Sequence, residues 1–226
     1  MKLVAFDFDG TLSDSEMTVL LGEQYDREMS TQEAEKEHQS VAGQMEAITE
    51  QAMNGEIVYA ESLQRRCALL AGLSTAQAKK AFDRVHLRPG AADVLSALDA
   101  AGVYTAILTG GFERGVETAL ERDGVGVETV IANRLAMVDD ELTGEVAGPL
   151  IEGTKDDALE VLCATVGVDL SETVAVGDGA NDLPMLEAAG LAVGFAPKPA
   201  VEPACDVVVE SMEELIECFE SENVLY

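Results

Sequence analysis

From about residue 84 onward the chain alternates short, continuous apolar runs with stretches of helical periodicity. The apolar runs lie near 103–108, 128–132, 172–177, 191–195 and 206–209, and the helical stretches near 90–101, 112–123, 155–167, 182–189 and 211–220. Parallel strands can be joined only by crossovers, which are usually helical, so strict alternation of this kind predicts a mostly parallel sheet with helices on both faces. The opening run Leu3-Val4-Ala5-Phe6 is equally short and apolar and supplies one more buried strand. The expected class is therefore α/β, a doubly wound, mostly parallel sheet. Met137 to Gly144 reads as a small hairpin inside the series, with Asp139 and Asp140 as its turn residues.

Residues 15–83 break the alternation. They hold no convincing strand. Ser30 followed by Glu33, and Ser74 followed by Gln77, match the capping box that opens helices. Met45, Ile48 and Ala52 recur at helical spacing, and Asn54-Gly55 reads as a helix end. The expected organisation is a sheet core of 1–14 and 84–226 with a helical cap of 15–83 inserted after the first strand; Arg88-Pro89-Gly90 marks the return. An insert at that point sits over the carboxyl ends of the strands, where a lid excludes water and selects the substrate.

The 226 residues are 47% hydrophobic, enough for a large core. Fourteen basic residues face 43 acidic ones, a net charge of −29. Such a surface repels nucleic acid and anionic membranes, so neither is expected as a partner. The acids are spread along the chain, the pattern expected of a protein working in a very salty, halophilic cytoplasm, where self-repulsion is screened. Cys67, Cys163, Cys205 and Cys218 form no C-x-x-C pair and are expected as reduced core thiols. No run approaches the about 18 apolar residues of a membrane span, and the chain enters its first strand without a signal segment. A cytoplasmic protein is expected. His38 and His86 lack metal-ligand neighbours and read as surface or hinge residues.

Chemistry is concentrated at strand ends. Asp7 and Asp9 close the first run, in Asp7-Phe8-Asp9-Gly10-Thr11. Continued strand alternation would turn both to one side. Two carboxylates so close raise each other's pKa and call for a cation or a shared proton. A second cluster, Gly177-Asp178-Gly179-Ala180-Asn181-Asp182, follows another apolar run, and Thr109-Gly110-Gly111 follows a third. Open α/β sheets gather their sites at such ends. Lys155 is one of only six lysines. Hard oxygen ligands without nearby histidine or cysteine suit Mg²⁺. Carboxylates, Mg²⁺, a lysine, a hydroxyl and glycine amides together make a phosphoryl-transfer site. In the helical stretch near 59–71, Tyr59, Leu63, Cys67 and Leu70 form one stripe, with Arg66 at its edge and Arg65 opposite. A guanidinium beside an apolar stripe needs an anionic partner, a snorkelling path or an internal ion pair.

Four segments in order, Asp7 to Thr11, Leu108 to Phe112, Lys155, and Gly177 to Asp182, resemble the haloacid dehalogenase superfamily of phosphatases, most closely the members acting on phosphorylated serine. The resemblance extends through Ala132-Asn133-Arg134-Leu135 and Leu142-Thr143-Gly144 and covers nearly the whole chain. It implies a haloacid dehalogenase-like core with a helical cap, and hydrolysis of O-phospho-L-serine to L-serine and phosphate, a step of serine biosynthesis. It implies Asp7 as nucleophile and Asp9 as acid and then base. Mg²⁺ would be held by the Asp7 carboxylate, the Asp9 backbone carbonyl and Asp178. Thr109, Gly110 and Lys155 would hold the phosphoryl oxygens, Asn181 phosphate or substrate, and Asp182 would orient the metal shell or Lys155. Glu16 and Arg66 match the positions that bind the serine ammonium and carboxylate. Thr109 departs from the family's usual serine, keeping the hydroxyl and adding a methyl. A related phosphatase of a sugar or nucleotide, a receiver-like phospho-acceptor and a calcium module are the competing readings. Glu16 with Arg66 disfavours the first and Asp9 with the cap the second. The third lacks the required loop glycine.

Overall fold

A computed structural model describes residues 2–32, 40–53 and 56–225. Seven strands form one sheet: β1 (Leu3–Phe6), β2 (Tyr104–Phe112), β3 (Thr129–Val138), β4 (Glu141–Ala147), β5 (Thr173–Gly177), β6 (Leu191–Phe195) and β7 (Val207–Val209). Their spatial order is β4-β3-β2-β1-β5-β6-β7. All neighbours are parallel except β3 and β4, the expected hairpin. Its strands run longer than the sequence pattern implied, because their outer halves are exposed and carry no continuous apolar run. Asp139 and Asp140 form its turn, with φ of 50° and 66°.

Alternate residues feed two cores. Val4, Phe6, Ile107, Val174 and Val176 face one side, with Leu95, Val116 and Phe219. These last three come from α5 (Ala91–Ala100), α6 (Glu113–Asp123) and α9 (Met212–Ser221). Leu3, Ala5, Ala106, Leu108 and Ala175 face the other, against Leu159 and Leu162 of α7 (Lys155–Val166) and Met185 and Leu186 of α8 (Leu183–Ala188). Burial on both faces explains why β1 and β5 read as unbroken apolar runs. Each fully buried Val, Leu or Phe in these layers contributes about 1.5–3 kcal/mol.

Between β1 and α5 lie α1 (Met17–Gln32), α2 (Val41–Met53), α3 (Tyr59–Ala68) and α4 (Thr75–Phe82). Gly22 lets α2 close on α1, since a Cβ there would lie 2.9 Å from Met45 Sδ. Asp26 on α1 accepts from the first N–H groups of α2, Val41 at 2.7 Å and Ala42 at 3.0 Å, and so serves as a cap from a neighbouring helix. The Ser74–Gln77 capping box opens α4 as expected. Ser30 opens no helix; it lies within α1, and its partner Glu33 is outside the described residues, as are Asn54-Gly55 and His38.

The helical segment shares the core of one sheet face rather than owning a separate one: Leu21, Met45, Leu63, Cys67 and Phe82 join the same apolar cluster as Phe6 and Phe112. Phe82 meets Phe112 edge to face at 6.3 Å. The two connecting strands of chain are tied together. Arg88 N–H donates to the Leu12 carbonyl at 2.8 Å, and its Nη2 to the Gly10 carbonyl at 2.9 Å. Arg122 of α6 donates to the Val85 carbonyl at 2.6 Å and contacts His86 Nδ1 at 2.8 Å, which puts His86 at the junction. Cys67, Cys163 and Cys218 are buried and Cys205 half-buried, all as free thiols. No helix among the described residues is long and apolar enough to cross a membrane.

Candidate active site

β1 lies between β2 and β5, with Phe6 beside Ile107 and Val176. β1 and β5 stop at Phe6 and Gly177, while β2 runs on through Thr109-Gly110-Gly111 to Phe112, with its register against β3 shifted after Leu108. The segments beyond Phe6, Leu108 and Gly177 therefore meet at one end, at the switch point of the sheet. The strand ends at Phe6, before Asp7, so alternation does not aim the two acids. Asp7 N–H still donates to the Val176 carbonyl at 2.8 Å, which fixes it against β5. The turn that follows is tight: Gly10 has φ of 100°, and a Cβ there would fall 2.5 Å from Asp178 Oδ1. Only glycine gives both that backbone and that room.

The two acids face different partners. Asp7 Oδ1 accepts from Lys155 Nζ at 2.5 Å, and the same ammonium reaches Asp182 Oδ1 at 2.5 Å. Asp182 is fully buried; its Oδ2 accepts from the N–H groups of Asp178 at 3.0 Å and Gly179 at 2.9 Å. Asp182 therefore orients both Lys155 and the loop bearing Asp178. Asp9 points instead toward the β2 end, where a Cβ on Gly111 would lie 2.7 Å from its Oδ2. Thr109 Oγ1 accepts from Gly111 N–H at 2.9 Å, so that amide is engaged and not free for an anion. Asn133 is fully buried and its side chain bonds the Gly110 carbonyl at 3.0 Å and the Leu150 N–H at 3.2 Å, joining two loops at the rim.

Negative charge is in excess. Loss of water, then Asp182 and, less strongly, Asp178, push the Asp7 carboxyl from 3.8 to about 7, against the pull of Lys155. Burial, then Glu16 and Asp7, raise Asp9 well above the ordinary range. Burial would lower Lys155, but Asp182 and Asp7 outweigh it and raise it. Asp7 Oδ2 and Asp9 Oδ1 are buried without a hydrogen-bond partner. The carboxylates of Asp7, Asp178 and Asp182 offer oxygens within 4.8 Å of one another. Buried, unpartnered oxygens beside uncompensated charge fit a hard divalent cation. Asp182 is the member of that trio already committed to Lys155 and two amides, which leaves Asp7 and Asp178 as the side chains available.

Arg66 and Glu16 stand on the helical side. Arg66 Nη1 donates to Thr18 Oγ1 at 3.0 Å, and among the described residues it makes no ion pair, whereas Arg65 is paired with Glu61 on the outer face. Glu16 is exposed at the mouth, yet its carboxyl is held up in pKa by lost solvent, opposed by Lys198 and then Arg66. Two residues that sequence reasoning missed complete the rim. Tyr59 is 40% exposed, but its hydroxyl is 2.0 Å from where a Gly110 Cβ would be, and desolvation raises its pKa to about 12. Lys198 Nζ pairs with Asp178 Oδ2 at 3.0 Å. The stripe reading made Tyr59 a core residue; its place at the first turn of α3 carries it past the core to the cleft. Lys198 could have been noticed as a scarce lysine in Pro197-Lys198-Pro199, just after a strand end. Val58, Tyr59, Gly110, Leu150, Lys155 and Asn181 line a cavity of about 460 Å³ leading to Lys155.

A parallel sheet with paired acids, a buried lysine and a hydroxyl at its switch point defines a phosphoryl-transfer class of α/β hydrolase. The family model for haloacid dehalogenase-like hydrolases matches residues 4–187, and the chain belongs to that family. It is 48% identical to the phosphoserine phosphatase of Halobacterium salinarum over 95% of both chains. It is 34% identical to that of Methanocaldococcus jannaschii over 94% of this chain and 93% of the relative. Among solved structures it resembles a phospho-aspartyl intermediate analogue of phosphoserine phosphatase, with a TM-score of 0.81 and 32% identity over 96% of this chain and 98% of the other. A substrate-bound phosphoserine phosphatase complex matches at TM-score 0.81 and 30% identity, over 96% and 97%.

Proposed function

We propose that the protein is a Mg²⁺-dependent phosphatase that hydrolyses O-phospho-L-serine to L-serine and phosphate through an aspartyl-phosphate on Asp7. The observation that carries the substrate is Arg66: a half-buried residue hydrogen-bonded to Thr18, close enough to Glu16 and Tyr59 to oppose the burial-driven rise in their pKa values, and without an ion-pair partner among the described residues. It takes the serine carboxylate, and Glu16 takes the ammonium. We read residues 15–83 as the cap over a core of 1–14 and 84–226. The acidic surface does nothing to attract an anionic metabolite, so Lys155 and Arg66 must supply local positive charge; a cytoplasmic setting belongs to the same reading.

The chemistry follows from protonation. Asp7 attacks phosphorus, forming a P–O bond to its carboxylate as the bond to the serine oxygen breaks. Asp9, whose burial and neighbouring Glu16 and Asp7 favour the protonated form, gives its proton to that leaving oxygen. It then takes a proton from the water that attacks the aspartyl-phosphate. Lys155, Thr109 and the Gly110 amide hold the phosphoryl oxygens, and Asn181 contacts phosphate or substrate from the rim. Asp7, the Asp9 carbonyl and Asp178 would hold Mg²⁺, which supplies charge neutralisation at the phosphate.

Substrate comparison tests the assignment. A charge stranded by loss of its partner in a closed site costs roughly 2–5 kcal/mol. Arg66→Ala should therefore cut kcat/KM for phosphoserine by ~30-fold or more. An aryl phosphate, which has no carboxylate, should change far less, and Glu16→Gln should show the same selectivity. Equal losses on both substrates, or a preference for sugar or nucleotide phosphates in the wild type, would overturn the phosphoserine reading.

A further inference from the structure

Lys198 has no part in the chemistry above, yet the chain places it with unusual rigidity. It stands between Pro197 and Pro199, each with a fixed φ. Ala196, just before, has φ of +40°, a left-handed conformation that a non-glycine residue keeps only where its surroundings enforce it. The backbone is anchored on both sides of the lysine: its N–H donates to the Asp178 carbonyl at 2.9 Å, and its own carbonyl accepts from Val201 N–H at 2.8 Å. The side chain then returns to the same aspartate, Nζ to Asp178 Oδ2 at 3.0 Å. Asp178 is thus gripped through both its main chain and one carboxylate oxygen by a single strained loop.

Gly10 lies flat against the same carboxylate: a Cβ there would fall 2.5 Å from Oδ1, 2.7 Å from Cγ and 2.8 Å from Oδ2. Asp178 is confined between the first-motif turn and Lys198. We infer that Lys198 is a positioning residue: by holding one oxygen of Asp178 it keeps the other turned toward Asp7, so that the divalent-cation site is formed before the cation arrives. The inference rests on the reading of Asp7 and Asp178 as metal ligands. Partners behind a ligand that fix its orientation are generally worth 10–100-fold in metal affinity. The ion pair itself is 59% exposed on the lysine side, so it adds little to global stability.

The sign of the effect separates this role from simple electrostatics. Removing a positive charge beside a cation site strengthens cation binding by Coulomb attraction alone. Removing a positioning group weakens it. Isothermal titration of the substrate-free protein with MgCl₂, in molar KCl, reads the affinity directly without turnover. Lys198→Met should bind Mg²⁺ about tenfold or more weakly than wild type, with an unchanged metal-free melting temperature. Lys198→Leu, which likewise has no donor, gives the same reading should the methionine variant fold poorly. Equal or tighter binding in the variant overturns the positioning role. Absence of Mg²⁺ binding in the wild type overturns instead the metal reading on which it rests.

Discussion

Asp7 is asked to be a nucleophile in a site that resists its charge. Its carboxyl rises from 3.8 to about 7, by lost water first and Asp182 next. A carboxyl whose pKa is higher folded than unfolded keeps its proton in the native state while the unfolded chain releases it. Its contribution to stability therefore falls as pH rises from about 4 to about 7. In chelator and molar KCl, the melting temperature of wild type relative to Asp7→Asn should decline across that window, because asparagine does not titrate. A flat difference would show that Asp7 is ionised in the metal-free fold. Asp7→Asn should also abolish turnover, and rapid quenching of wild type with ³²P-labelled substrate should trap a hydroxylamine-labile adduct that the variant lacks. Full activity in the variant would remove Asp7 from the mechanism.

The β3–β4 hairpin, which the sequence presents as a mere turn, is a prop for the helix that carries Tyr59 and Arg66. Gly72 N–H donates to the Leu142 carbonyl at 2.9 Å, Leu142 N–H to Leu73 at 2.8 Å, and Thr75 N–H to Asp140 at 2.8 Å. Gly144, with φ of 84°, lets β4 close on α3, where a Cβ would lie 3.1 Å from Ala68 Cα. A branched side chain there meets both backbone strain and a helix that cannot yield. Gly144→Val should destabilise the protein by about 1–3 kcal/mol. On the proposed reading, in which Arg66 on α3 takes the substrate carboxylate, it should also raise KM for phosphoserine more than it lowers kcat. Thermal melts and steady-state kinetics check this; a loss confined to kcat would mean that the hairpin supports the chemistry rather than recognition.

At the scale of the molecule, charge dominates. With 14 basic residues against 43 acidic ones, at most a third of the acids can be paired one to one. The remainder repel across a surface where the screening length is about 10 Å in 0.1 M salt and about 3 Å in 1 M. The melting temperature should climb steeply from low to molar KCl, as followed by circular dichroism. A melting temperature indifferent to salt would argue against halophilic adaptation and leave the acids as a solvation device.

Local rules determined the sheet, the helices and the four motifs, because apolar periodicity and strand-end chemistry are written within a few residues of one another. The gathering of Asp7, Thr109, Lys155 and Asp178 at strand ends was expected from the same alternation, whereas the order of strands around β1 was decided only by the fold. What depended on contact between distant segments was not legible. Asp7 and Asp9 diverge because the strand stops one residue early. The Gly111 amide is taken by Thr109, and Tyr59 leaves its apolar stripe for the cleft. Lys198 reaches Asp178 across twenty residues of sequence. Periodicity records which face of an element is buried. It does not record which partner a buried charge will find, since that is set by packing between elements far apart in the chain.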